Sequence, residues 1–170
     1  MKKFISIILA IILVFSFSAC KADETEAYAA DITMFEQMVA DIHMSPVQAE
    51  NALIAMEYSP EAIAIIMKNA KVNWNAEALI VAQYELDMFP LSKLGLKRNL
   101  EDHGWTEEQA EYAANAIKVD WSQQALYAAM EYISQGMTKE QVEAQLGQDG
   151  FTGPEWNYVL AQHYNLLEGQ

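Results

Sequence analysis

Apolar residues recur along most of the chain at the three- and four-residue spacing of an amphipathic helix. In the clearest stretch this spacing predicts helices over 75–88, 92–103 and 106–117. The side chains that share one face of the first two helices are Ala78, Leu79, Ala82, Leu86, Leu96 and Leu100. Only seven glycines and four prolines interrupt the 170 residues, which favours helix almost throughout. The sequence therefore predicts an all-α fold.

Helix starts are marked by a hydroxyl or carboxylate residue followed three positions later by Gln, the pattern of a capping box. The pairs are Ser45 with Gln48, Thr106 with Gln109, Asp120 with Gln123 and Thr138 with Gln141. Gly104 and Gly150 stand where a left-handed residue closes a helix. Glu57 occupies the corresponding place earlier in the chain, so we expect the turn there to close differently. The short helices around these turns are predicted to form helix-turn-helix-like hairpins.

Two nine-residue stretches that begin 47 positions apart are nearly the same: residues 71–79 read KVNWNAEAL and residues 118–126 read KVDWSQQAL. The agreement continues downstream, where GWT at 104–106 matches GFT at 150–152, and a fainter copy lies upstream at the same spacing. A period of this size is typical of stacked supersecondary units that cannot bury their apolar faces alone. We therefore predict three tandem three-helix units of about 47 residues. Their ranges are 29–72, 73–119 and 120–170.

Large aromatic rings recur at fixed places in this repeat. Trp74 and Trp121 each follow the residue that begins a unit, and Trp105 and Phe151 each follow the glycine of a turn. A ring at a boundary packs most simply into the groove between neighbouring units, so we predict that all four pack between repeats. The alternative is that they are exposed rings that bind a partner.

The first twenty residues, MKKFISIILAIILVFSFSAC, have the organisation of a secretory signal peptide. Lys2 and Lys3 precede an apolar run that is too short to span a bilayer comfortably, and small residues come before Cys20. Cys20 is the only cysteine, so it has no disulfide partner, and the stretch FSAC resembles a bacterial lipobox. We predict a signal peptide over 1–19, fatty acylation of Cys20, and a polar tether over 20–28 that holds the protein at the extracytoplasmic face of the cell membrane. The alternative is a plain signal peptide that happens to end in cysteine.

The predicted mature chain is strongly acidic. Loss of Lys2 and Lys3 leaves eight Lys and Arg residues against 24 Asp and Glu residues, a side-chain balance of −16. Such a charge argues against nucleic acid or an anionic membrane surface as a partner, and it suits the steering of a basic protein. The candidate partner-binding residues are Glu101, Asp102, Glu107, Glu108 and Glu111. The alternative is that they form an ordinary solvated helix surface.

The sequence carries no arrangement of residues that is typical of catalysis. His43, His103 and His163 are 60 residues apart but fall at different positions of the repeat, which argues against a shared metal site. Zinc-protease, calcium-loop, phosphate-loop and nucleophile motifs do not occur. We therefore expect no enzyme activity, no cofactor and no metal.

One ordered pattern occurs at 73–112 and again at 120–158. Its successive parts are D/N-W-x-x-x-A-L, then S/T-K, then L, and then G-F/W-T-x-x-x-x-x-Y. It resembles the repeat of the Ltp-type lipoproteins, which are host cell-surface and prophage-encoded lipoproteins of Gram-positive bacteria. The resemblance implies tandem helix-turn-helix-like units. For phage-encoded members it also implies superinfection exclusion, in which the lipoprotein blocks injection of an incoming phage's DNA. The target that it implies is the tape measure protein, which leaves the virion ahead of the DNA.

These observations leave three functions in competition. The leading hypothesis is a surface lipoprotein whose acidic repeats bind another protein and confer phage resistance. The second is a host envelope-associated structural or protein-binding lipoprotein with no phage role. The third is binding of duplex DNA through the helix-turn-helix shape, and the predicted export and the charge of −16 argue against it.

Overall fold

Every regular element in the described part of the chain is an α-helix. The computed structural model describes residues 24–158, and no β-strand occurs among them, which confirms the all-α prediction. The predicted signal peptide, Cys20 and residues 159–170 lie outside this range. The helices are α1 (Glu24–Ala27), α2 (Ala29–Ile42), α3 (Pro46–Ala55), α4 (Pro60–Asn69), α5 (Trp74–Met88), α6 (Lys93–Asp102), α7 (Glu107–Ala116), α8 (Trp121–Ser134), α9 (Lys139–Gln148) and α10, which begins at 153 and continues to 158. None of these described helices is long and apolar enough to cross a bilayer.

Side chains cap the starts of the seven helices from α3 to α9. Ser45, Thr106 and Thr138 each accept a hydrogen bond from the main-chain N–H three residues later, and the Gln at that position accepts one from the cap residue's N–H. These predicted capping boxes are therefore confirmed. Asp120 caps α8 through its carboxylate, which accepts from two N–H groups of the first turn, but Gln123 does not accept from the N–H of Asp120, so the capping box predicted there is wrong in that half. The helices predicted in the middle of the chain are α5, α6 and α7, and each predicted end lies within one residue of the observed end.

The turns that follow α3, α6 and α9 close in the same way. Gly104 and Gly150 adopt left-handed backbone angles, with φ of 88° and 89°, as predicted. Glu57 also lies in the left-handed region, at φ 65°, so the expectation that its turn closes differently is wrong. The N–H of Tyr58 donates to the carbonyl of Leu53 at 3.2 Å, as the residues after both glycines do in their own turns. These bonds hold Glu57 in a conformation that costs a non-glycine residue about 1–2 kcal/mol.

Apart from Ala62, the buried apolar side chains of residues 24–158 fall into three clusters. The N-terminal cluster consists of Ile32, Phe35, Val39, Ala49, Leu53, Ile63 and Ile66. The central cluster consists of Ala78, Ala82, Leu86, Leu96, Leu100, Trp105, Ala110, Ala113 and Ala114. The C-terminal cluster consists of Ala125, Leu126, Ala128, Ala129, Val142, Leu146 and Phe151. Each cluster lies among successive helices of the chain, the central one where α5 and α6 pack on α7.

The core face predicted for α5 and α6 is confirmed except at Leu79. Ala78 and Ala82 are fully buried, whereas Leu79 is only half-buried and borders a shallow surface groove. The two alanines allow α7 to approach α5 closely, and Leu79 lies about 100° further round the helix, at the edge of that contact.

Candidate protein-binding surface and the joints that position it

The five acidic residues predicted to bind a partner lie on two helices that pack together. Glu101 and Asp102 end α6, and Glu107, Glu108 and Glu111 lie in the first half of α7. We call these five residues the acidic surface. Glu107 and Glu108 occupy the first turn of α7, where carboxylates interact favourably with the helix dipole. Those two therefore also support the helix on which they lie.

Lys97, on α6, gathers three of these carboxylates around one cation. Its ammonium nitrogen lies 3.0 Å from a carboxylate oxygen of Glu107, 3.7 Å from one of Glu101 and 3.9 Å from one of Glu111. The hydrogen bond to Glu107, reinforced by the charges of the three carboxylates, raises the pKa of Lys97. Because Glu107 and Glu111 are largely exposed to solvent, these ion pairs add little to stability. Their effect is to bring carboxylates from α6 and α7 together.

Asp102 and Glu108 extend the acidic surface beyond this group. Both are exposed, and neither carboxylate forms a hydrogen bond or an ion pair within residues 24–158. Tyr112 lies one helical turn after Glu108, on the same side of α7, and its ring is 46% exposed. α7 itself contains no Lys or Arg. The surface therefore offers unpaired negative charge beside an accessible aromatic ring.

Hydrogen bonds to other segments hold α6 at both of its ends. At its start, the hydroxyl of Ser92 donates to the main-chain carbonyl of Asp149 at 2.5 Å. At its end, the main-chain carbonyl of His103 accepts from the hydroxyl of Ser45 at 2.8 Å. Both serines are at most 1% exposed, although serine is usually a surface residue. The acidic surface therefore begins next to a fixed point rather than on a loose helix end.

The same two junctions leave no room for a side chain on the glycine of the turn. A Cβ atom at Gly104 would lie 2.8 Å from Cβ of Val47 and 2.9 Å from Oγ of Ser45. A Cβ atom at Gly150 would lie 2.9 Å from Cβ of Leu94. Glycine is therefore required here for two reasons, the left-handed backbone and the close approach of the neighbouring segment.

The four aromatic residues predicted to pack between repeats occupy two kinds of position. Trp74 packs against both the N-terminal and the central cluster, and it meets Phe35 edge to face with ring centroids 6.4 Å apart. Trp121 begins α8 but packs against the central cluster. Trp105 and Phe151 are each 4% exposed and lie inside the central and C-terminal clusters, respectively. The structure thus places the first two between neighbouring segments and the other two in the core of their own segment.

Sequence reasoning missed a second exposed surface, at the end of α5. Met88 and Phe89 are 63% and 53% exposed, and Tyr84, one turn earlier, is 50% exposed. His43 lies against this surface, with its ring centroid 5.8 Å from that of Tyr84 and its Nδ1 2.7 Å from Oε2 of Glu77. The spacing of four residues between Tyr84 and Met88, away from the buried face of α5, was the available signal.

The described residues also include two histidines with hydrogen-bonded rings and a shallow groove between helices. No group of three or more His, Cys, Asp or Glu residues in that part of the chain could hold a metal ion. Nδ1 of His103 lies 2.8 Å from the carbonyl oxygen of Asn99 in the last turn of α6, and His163 lies outside the described residues. A shallow groove of about 380 Å³ between α5 and the end of α7 is lined by Leu79, Ile80, Gln83, Ala116, Ile117 and Lys118. That lining offers apolar contact rather than a pair of acid–base groups.

No family model, curated protein or solved structure matches the chain.

Proposed function

We propose that this protein is a membrane-anchored surface lipoprotein whose acidic helical units bind another protein and thereby block injection of phage DNA. The observation that carries the proposal is the acidic surface. Its exposed carboxylates at Asp102 and Glu108 have no cation paired with them among residues 24–158, and α6, which carries Asp102, is held at both ends. A surface of this kind suits a basic, extended or helical protein segment.

The partner contacts the acidic surface first through long-range attraction and then through Tyr112. A balance of −16 in the mature chain raises the rate of encounter with a cationic segment, and this effect falls as salt rises. At close range the exposed ring of Tyr112 supplies apolar area and a site for a cation–π contact beside Glu108. A rigid surface of this kind loses little conformational entropy when the partner arrives.

The proposed architecture has a lipid anchor at Cys20, a tether over 20–28, and helical units over 29–72, 73–119 and 120–170. Support for the units comes from the matching caps, left-handed turns and serine–carbonyl bonds of successive segments. The short tether keeps the units close to the bilayer, where an injection channel forms. On the sequence resemblance, the partner is a segment of a phage tape measure protein.

Phage infection of a sensitive host that expresses the protein tests this proposal. We expect phage adsorption to be unchanged and entry of phage DNA to fall. Replacement of Asp102, Glu108 and Glu111 by the matching amides should restore DNA entry. The control carries three amide replacements at exposed glutamates elsewhere, Glu26, Glu50 and Glu131, so that it has the same net charge and retains the block.

Two outcomes would point elsewhere. DNA entry that is unaffected by the unaltered protein would favour the alternative of a host envelope-associated structural or protein-binding lipoprotein. Equal loss of protection in both triple variants would assign the effect to overall charge rather than to the acidic surface. The anchor is tested separately by Cys20→Ser, which should release the protein from the membrane fraction and abolish protection.

A further inference from the structure

Two junctions between neighbouring segments use the same contacts. In the first, Ser45 donates to the carbonyl of His103, and Val47 lies against Gly104. In the second, Ser92 donates to the carbonyl of Asp149, and Leu94 lies against Gly150. Each junction therefore joins the start of one helix, through a buried serine and an aliphatic residue two positions later, to the left-handed turn that ends another. Contacts that recur in this way describe an interface that could continue from one unit to the next.

In the third unit, the helix start that would receive a further unit is altered. Thr138 takes the place of the serine, and Glu140 takes the place of the aliphatic residue. Both are exposed, and the Thr138 hydroxyl donates to Oε2 of Glu140 at 3.0 Å instead of to a carbonyl of another segment. Hydrogen bonds from its own N–H and from Thr138 lower the pKa of Glu140, so its carboxylate remains charged. A helix end that presents carbonyl groups would be repelled there.

In the first unit, the turn that would dock onto a preceding unit is altered as well. Glu57 has the left-handed backbone of Gly104 and Gly150, with φ of 65°, but it carries an exposed side chain. In the internal junctions even a Cβ atom at this position would lie within 3 Å of atoms of the neighbouring segment. A side chain at position 57 would therefore overlap the helix start of a preceding unit that docked in the same way.

We propose that Glu57 and Glu140 are end stops, which prevent the internal junction from forming between two copies of this chain. If one copy docked onto the next head to tail, Glu57 of one would meet Glu140 of the other at the place where glycine meets an aliphatic residue inside the molecule. That contact combines a steric overlap with repulsion between two carboxylates. Without the end stops the junction would be heterologous and would not close, so copies would add without limit. This inference rests on the proposed repeat architecture and does not depend on the proposed phage partner.

Single and double replacements test the end stops through the mass of the protein in solution. Full-length chains extracted in one detergent would be compared by light scattering over a range of concentrations, with correction for bound detergent. We expect the unaltered protein, Glu57→Gly and Glu140→Leu each to have the mass of one chain. A 1:1 mixture of the two single variants should reach twice that mass and stop, because each copy has only one open end. The double variant should form larger species whose mass rises with concentration.

The matched control is Glu57→Gly combined with Glu131→Leu, which has the same composition and charge as the double variant but places the leucine on an exposed face of α8. We expect this control to have the mass of one chain. Equal association of the control, or a double variant that keeps the mass of one chain, would overturn the proposal. Glu140→Val, which introduces the residue found at Val47, provides a second version if the leucine lowers helix content. Circular dichroism would establish that each variant is folded.

Discussion

The hydroxyl of Ser92 donates a hydrogen bond to the main-chain carbonyl of Asp149, 57 residues further along the chain. The hydroxyl oxygen of Ser92 also accepts a hydrogen bond from the N–H of Gly95 at 2.8 Å, and it thereby caps the start of α6. In the same way, the hydroxyl of Ser45 caps the start of α3 and donates a hydrogen bond to the main-chain carbonyl of His103. A single buried hydroxyl therefore satisfies a helix start in one segment and a helix end in another, which makes these serines the points where local and long-range structure meet.

Replacement of Ser92 by Ala should destabilise the protein by about 2–3 kcal/mol. Loss of the cap accounts for about 1 kcal/mol, and the carbonyl of Asp149 left without its donor accounts for about 1–2 kcal/mol more. The control is Ser59→Ala, because Ser59 caps α4 but is exposed and has no bond to a distant segment. Denaturant unfolding should show that the control loses about 1 kcal/mol of unfolding free energy. Equal costs for the two variants would show that the long-range bond contributes nothing.

Replacement of Gly104 by Ala should cost about 2–4 kcal/mol. The left-handed backbone accounts for about 1–2 kcal/mol, and overlap with Val47 and Ser45 accounts for the rest. Gly136 provides the control, since it has a similar φ of 82° but no atom within 4 Å of the added Cβ. Gly136→Ala should therefore show only the backbone cost when the free energies of unfolding are compared. Equal losses of unfolding free energy in Gly104→Ala and Gly136→Ala would contradict the close approach described at Gly104.

The stability of the C-terminal segment should fall at alkaline pH because of Tyr132. The phenol of Tyr132 donates a hydrogen bond to the carboxylate of Asp149. Burial of the phenol is the larger cause, and this bond the smaller cause, that raises the pKa of Tyr132 above the ordinary value of 10.0. The folded state therefore favours the neutral phenol. Its contribution to stability is complete below about pH 10 and is lost as the pH rises through the raised folded-state pKa.

Tyr132→Phe should accordingly lower the free energy of unfolding by about 1 kcal/mol near pH 8. The gap to the unaltered protein should narrow as the pH rises above about 10, because the phenol's contribution disappears there. Urea unfolding at several pH values measures both effects, and Tyr127→Phe, which alters an exposed ring, is the control. A gap that stays constant above pH 10 would contradict the assignment.

Replacement of Lys97 by Gln should strengthen binding of a basic peptide to the acidic surface. The change removes the cation that lies among Glu101, Glu107 and Glu111 and leaves stability nearly unchanged, because surface ion pairs contribute little. Affinity for an oligolysine peptide at low salt should rise roughly two- to fivefold, and the rise should shrink as salt is added. Lys93→Gln, at an exposed position on the same helix, is the control. Equal gains for both variants would mean that net charge alone decides binding.

Local features of the fold were predictable because their causes are local. A cap residue with Gln three positions later brings its own hydrogen-bond partners, so Ser45, Thr106 and Thr138 could be identified from the sequence. Glu57 could not, since its left-handed turn is fixed by the hydrogen bonds of the whole hairpin rather than by the preference of glutamate. Leu79 was misassigned because periodicity defines a face but not where the neighbouring helix ends on it.

The candidate site was predictable only in part. Composition and charge identified the acidic surface, but the convergence of three carboxylates on Lys97 depends on how α6 packs on α7. The long-range bonds of Ser45 and Ser92 span 58 and 57 residues, and no local pattern distinguishes these serines from Ser59. Distances of this kind are set by packing between segments, which the sequence does not display.

The position of Trp74 has a consequence for the order in which the molecule forms. This ring opens α5, yet it covers Phe35, which is wholly inaccessible to solvent, in the cluster before it. A growing polypeptide emerges amino end first, so the N-terminal cluster remains incomplete until residue 74 has left the ribosome. Trp121 stands in the same relation to the central cluster. The N-terminal and central segments are each completed by the opening residue of the next segment, and maturation of these two segments therefore follows the direction of translation.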